Sequence, residues 1–164
     1  MTQAIYITPQ FAVAPQIESG DFQAIMALGF DIVMNNRPDH EDGVIFPSKL
    51  ATAQAEKAGL DYLYVPAENH DLSDPDLLDR FQAVLSAANG PVFAHCKSGT
   101  RTAILWALVS ARHQPVDQVL ATLTRAGFDF EFLTDELEEQ NQMFGEAMLP
   151  VAGVSNEIPR AEAA

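Results

Sequence analysis

The stretch Pro91-Val92-Phe93-Ala94-His95-Cys96-Lys97-Ser98-Gly99-Thr100-Arg101-Thr102-Ala103-Ile104-Leu105-Trp106 decides how this chain is read. Val92-Phe93-Ala94 is a short apolar run after the turn signal Asn89-Gly90-Pro91, the pattern of a buried strand. From Ala103 to Val109 the pattern is helical. Between them lie the only cysteine of the chain and Gly99, a residue that permits a sharp turn. A strand that stops at a cysteine, turns on glycine and opens a helix with Arg and Thr gathers backbone N–H groups and the positive end of a helix dipole. A negative charge beside the sulfur is favoured there.

The thiolate, not the thiol, is the nucleophile, so a reactive cysteine needs stabilising neighbours. Here they are the loop amides of Lys97, Ser98, Gly99 and Thr100, the cations Lys97 and Arg101, and the Thr102 hydroxyl, read as a donor to the sulfur. Arg101 is the cation able to grip two oxygens of a tetrahedral anion, and with the amides it would hold charge developing on a transferred group. His95 is read as fixing the loop backbone rather than as a base. A lone cysteine would read as inert core; His before it and Gly, Arg and Thr after it favour chemistry. A zinc site from His40, His70, His95 and Cys96 lacks ligand spacing, and adjacent His-Cys ligands are awkward. No metal and no cofactor is expected.

Working outward, short apolar runs alternate with helical stretches, which predicts an α/β domain with a central, mainly parallel sheet flanked by helices. Strands are expected at Ile5–Ile7, Phe11–Ala14, Phe30–Met34, Asp61–Val65 and up to His95. Helices are expected from about 20 to 28 with Ser19 as N-cap and Gly29 past the end, from Ser48, as cap, to about Ala58, and from Ser73 or Asp74 to about Ala88. Three more should fill 101–113, 116–126 and 130–145. One domain over 1–149 and a short polar tail over 150–164 follow.

With 164 residues, 48% apolar and 20% charged, the chain has the make-up of a single globular domain. The net charge of −14 leaves too little Lys and Arg to neutralise a nucleic acid. No apolar stretch is long enough for a membrane span, no secretory leader is visible, and one cysteine fits a reducing compartment, so a cytoplasmic location is expected. From Pro115 onward ten acidic residues face only Arg125 and Arg160. That reads as a solvated surface, with docking of a basic partner as the alternative.

His95 to Thr102 resembles the signature of cysteine-dependent phosphatases of the protein-tyrosine and dual-specificity superfamily, which have His-Cys, five residues, then Arg and Ser or Thr. Here four residues separate Cys96 from Arg101. That shorter form is similar to a bacterial family of beta-lactamase-hydrolase-like proteins with a phosphatase-like domain, also described as sulfurtransferases. Asn36-Arg37-Pro38-Asp39, Pro47-Ser48 and Leu105-Trp106-Ala107-Leu108 fit the same family, in order, over about residues 4–130. The resemblance implies a cysteine-phosphatase-like fold, Cys96 as nucleophile, Arg101 and the loop as anion cradle, and an acid on the loop after the fourth strand. That loop holds Glu68, His70 and Asp71, with Asp71 the first candidate and Glu68 the second. Arg37 is either a second anion contact or a structural partner of Asp39 or Glu41.

A six-residue ring from Cys96 to Arg101 is also the size that rhodanese-type sulfurtransferases use around a persulfide. The ring size favours sulfur transfer, whereas Arg101 and Thr102 after the cysteine favour hydrolysis of a small-molecule or protein phosphomonoester, which is the expected activity. Transfer from a sulfane-sulfur donor to a thiol acceptor is the alternative. A non-enzymatic anion- or phosphoprotein-binding module is the third reading.

Overall fold

The computed structural model of the protein describes residues 3–145, so the expected tail after Pro150 lies outside the described residues. Five strands form one sheet in the order β1-β2-β5-β3-β4: β1 (Ile5–Thr8), β2 (Phe11–Ala14), β3 (Ile32–Asn35), β4 (Asp61–Tyr64) and β5 (Val92–His95). β1 and β2 make an antiparallel hairpin, and the other pairings are parallel. The helices are α1 (Asp21–Ala27), α2 (Ser48–Ala58), α3 (Pro75–Ala87), α4 (Thr100–Ala111), α5 (Val116–Arg125) and α6 (Thr134–Gly145). A mainly parallel sheet must be covered on both faces, and the strand residues alternate accordingly. Phe11, Val13, Met34, Val92 and Ala94 face the core built with α3 to α6. Ala12, Ala14, Val33 and Phe93 face a smaller core with α1 and α2.

Several expected boundaries shift for local reasons. Ser19 does not cap α1: Gly20 holds the N-cap position without a side-chain bond, and the Asp21 carboxylate instead accepts from the Glu18 N–H at 2.9 Å. Ser48 does not cap α2 either, because Pro47 occupies that position and Ser48 turns its hydroxyl and N–H to Asp39. Asp74 is the cap of α3, accepting from the Leu77 N–H. β3 starts at Ile32 rather than Phe30, and the last helical stretch opens as a 3-10 turn over Glu131–Leu133. The C-terminal end of α4 is tied down by buried Arg112, which donates to Gln140, Asp79 and Gln82 on α6 and α3 and lies 4.1 Å above the Phe144 ring. No helix among the described residues is long and apolar enough to cross a membrane.

Candidate active site

The four parallel strands end in register. Ala14, His95, Asn35 and Tyr64 form one row across the sheet, so four loops leave the same edge. In open α/β sheets this carboxyl edge is where ligands bind. β5 is the central strand, and Cys96 follows it directly. The loop after β2 braces it on one side, through Gln16 N–H to Lys97 O at 3.1 Å, and the loop after β3 on the other, through Asn36 N–H to His95 O at 2.8 Å.

Cys96 is 1% exposed, and the Gly99 N–H donates to its Sγ at 3.1 Å. Gly99 has φ of +93°, and a Cβ there would sit 3.4 Å from the Ala14 carbonyl. Only glycine fits both demands. Gly99 is also the N-cap of α4, so the sulfur lies against that helix's amino end. Lys97, Ser98 and Thr100 are exposed. The expected donation from Thr102 to the sulfur is not what forms: its hydroxyl donates to Asn36 Oδ1 at 2.9 Å. The reason is that Asn36 is a hub. Its Nδ2 donates to Val65 O and its carbonyl accepts from Ala67 N–H, leaving Oδ1 aimed at α4. Asp39, two residues past Arg37, accepts from Ser48 and holds α2.

Arg37 and Arg101 are both buried and share one carboxylate. Glu41 Oε1 accepts from Arg37 Nε at 3.1 Å, and Oε2 accepts from Arg101 Nη2 at 2.8 Å. Burial by itself would raise the Glu41 carboxyl, but the hydrogen bonds and charge of Arg101, then of Arg37, outweigh it, and the group titrates below its ordinary value. Arg37 spends its remaining nitrogens on Gln16 Oε1 and Asp42 O, so it builds the wall of the site, partnered by Glu41 and not by Asp39. Arg101 Nη1 donates to Ala67 O at 2.8 Å. Its Nε is buried and has no acceptor among the described residues. Glu41 as the partner of Arg101 is absent from the sequence reading; a pair 60 residues apart leaves no local signal.

The two acid candidates separate. Glu68 lines a polar cavity of about 460 Å³ together with Lys97, His40 and His70, and it is hydrogen-bonded to His40 at 2.8 Å. Asp71 is exposed, lies outside that lining, and uses its backbone in the turn with Glu68 that leads to α3. Among the described residues no group of three His, Cys, Asp or Glu is placed to hold a metal.

His95 is buried, with Nδ1 3.4 Å from Cys96 O. Burial pushes its pKa down to about 4, with a further push from the Arg37 charge and partial opposition from the Cys96 contact. The unfolded chain protonates this ring near its ordinary value of about 6.5. Between those values the unfolded state binds the extra proton, so stability falls as pH falls. Urea titrations should show a loss of about 2 kcal/mol between pH 7 and pH 5, flattened in His95→Gln. A wild-type stability that is level across that range would mean the ring is not held neutral.

Comparison with known proteins agrees with this fold. Residues 4–113 match the family model described as beta-lactamase hydrolase-like protein, phosphatase-like domain. The chain belongs to that family. Its curated relatives include a beta-lactamase hydrolase-like protein of Agrobacterium fabrum, 35% identical over 109 residues that make up 66% of this chain and 25% of the relative. A namesake from Xylella fastidiosa is 32% identical over 136 residues, 82% of this chain and 31% of the relative. The chain thus spans a quarter to a third of their length. Among solved structures, a candidate phosphatase of Neisseria meningitidis superposes with a TM-score of 0.72 at 25% identity, over 83% of this chain and 96% of that one. The core catalytic domain of a PP-IP phosphatase from S. cerevisiae, in complex with citrate, shares the fold at a TM-score of 0.61 and 14% identity, over 88% and 91%. The domain is a phosphatase-like α/β fold with a mostly parallel five-stranded sheet.

Proposed function

We propose that this domain hydrolyses phosphomonoesters through Cys96. The observation that supports it is the pairing of Cys96 Sγ, held by the Gly99 N–H, with a buried Arg101 whose Nε–H lacks a protein acceptor on the helix that the same loop opens. The Sγ thiolate attacks phosphorus, the bond to the leaving oxygen breaks with its electron pair, and that oxygen takes a proton. Glu68, beside Lys97 in the polar cavity, is better sited than Asp71 to supply it. Water then attacks the phosphocysteine, releasing inorganic phosphate and the thiolate. The loop amides and Arg101 carry the charge that builds on the phosphoryl oxygens.

One observation favours a second reading, sulfur transfer. Both Nη groups of Arg101 are already held by protein acceptors, and Glu68 is engaged by His40. A sulfane donor needs no acid: Sγ attacks the outer sulfur of thiosulfate, the S–S bond breaks, and sulfite leaves with the pair. An acceptor thiolate then takes that sulfur and frees Cys96.

The two are separated by parallel incubations with 4-nitrophenyl phosphate and thiosulfate, acid quench and intact mass. Phosphate release with a phosphoryl adduct on Cys96 is the expected result. A one-sulfur adduct without phosphate release replaces the hydrolase with the transferase. Neither adduct, with anion binding retained, leaves a binding module.

A further inference from the structure

Two cavities open at the carboxyl edge of the sheet, and their chemistry differs. The polar one, with Lys97 and Glu68, lies between the loops after β3 and β4. The other, of about 600 Å³, lies between the loops after β2 and β3, the two strands that flank β5. Its two walls therefore come from the loops that follow the neighbours of the strand that delivers Cys96. Gln16, in the lining of this second cavity, connects it to the Cys96 loop: its N–H donates to Lys97 O, and its Oε1 accepts from Arg37.

Ile17, Ile45 and Phe46 give the second cavity its apolar surface, and Gln16, Glu18 and Ser19 its polar part. Ile17 is 1% exposed, and Phe46 packs on the buried Phe22 ring at 6.0 Å, so the floor is fixed by the core. At the rim Ile45 is 87% exposed, an isoleucine kept in water beside the opening. Gly20 and Gly43 line the cavity without side chains and leave it room. The volume suits a substituted aromatic ring. The protein's charge of −14 opposes any anion at long range, so apolar contact is the term that can recover affinity without adding cations.

We infer that this hollow seats an aryl or branched-alkyl group of the substrate whose anionic end lies on the Cys96 loop, which sets a preference for hydrophobic esters over small polar ones. The inference rests on the reading of that loop as an anion cradle.

Calorimetric binding of 2-naphthalenesulfonate and methanesulfonate, neither of which is turned over, tests it. Wild type should bind the aryl compound at least about tenfold more tightly. Gly20→Leu fills the hollow at a site with negative φ and no atom within 4 Å of the new Cβ, so the fold should tolerate it. It should reduce the preference to within about twofold, and Ile45→Ser, at an exposed position, should cut it about threefold. Binding of inorganic phosphate should be unchanged in both. Equal affinity for the two sulfonates in wild type, or an aryl preference that survives both variants with circular dichroism unchanged, overturns the inference. Selective aryl binding without phosphate release from 2-naphthyl phosphate instead overturns the hydrolase and leaves the hollow standing.

Discussion

Cys96→Ser is expected to lower kcat/KM for 4-nitrophenyl phosphate by about 10⁴-fold or more, to background. The serine hydroxyl is smaller than the thiol and stays protonated at neutral pH, so it is a far weaker nucleophile than a thiolate. His95, the adjacent residue, directs Nδ1 to the Cys96 carbonyl. The cradle survives the exchange, because the backbone turn at Gly99 and the Arg101 contacts to Ala67 and Glu41 do not involve the sulfur. Inorganic phosphate should therefore bind the variant within about threefold of wild type. Loss of turnover with binding preserved marks Cys96 as the reacting group. Turnover that persists in the variant would remove the cysteine from the chemistry, whichever group is transferred.

Arg101→Lys is expected to cost about 10²- to 10³-fold in kcat/KM. The guanidinium reaches Ala67 O with one nitrogen and Glu41 with another, and still offers Nε–H. A lysine ammonium has no planar fork and cannot serve three directions in that geometry. Glu41→Gln probes the same cluster from the acidic side. It removes the one negative charge between Arg37 and Arg101, so inorganic phosphate should bind several-fold more tightly. kcat should fall about tenfold as Arg101 loses its anchor. That split between binding and turnover is what a positioning carboxylate produces; parallel losses in both would assign Glu41 to folding alone. Glu41 stays ionised well below neutral pH, so the clamp persists across the whole range in which such assays are run.

The Cys96 loop was legible because its requirements are local. A strand end, a glycine at positive φ and a helix start must follow one another within eight residues, and a linear pattern records that. The short apolar runs of β2, β3 and β5 were readable for the same reason, whereas their division between two cores is seen only in the folded chain. Helix starts at Ser19 and Ser48 were misassigned because a cap is a competition between nearby acceptors. At Ser48 the winner, Asp39, stands nine residues away on another loop.

What the chain alone determined, then, is the sheet with its covering helices, the nucleophile candidate and the glycine that aims an amide at it. These follow from periodicity and backbone sterics, which act over a few residues. The tertiary structure decided what Arg37, Thr102 and Arg101 do. Each was open to an anion or the sulfur as a partner in the linear chain, and each found a protein acceptor instead: Glu41 for both arginines and Asn36 for the threonine. Buried donors take whatever acceptor the packing brings within 3 Å, and which acceptor arrives depends on four loops meeting at one sheet edge, a relation that no local pattern encodes.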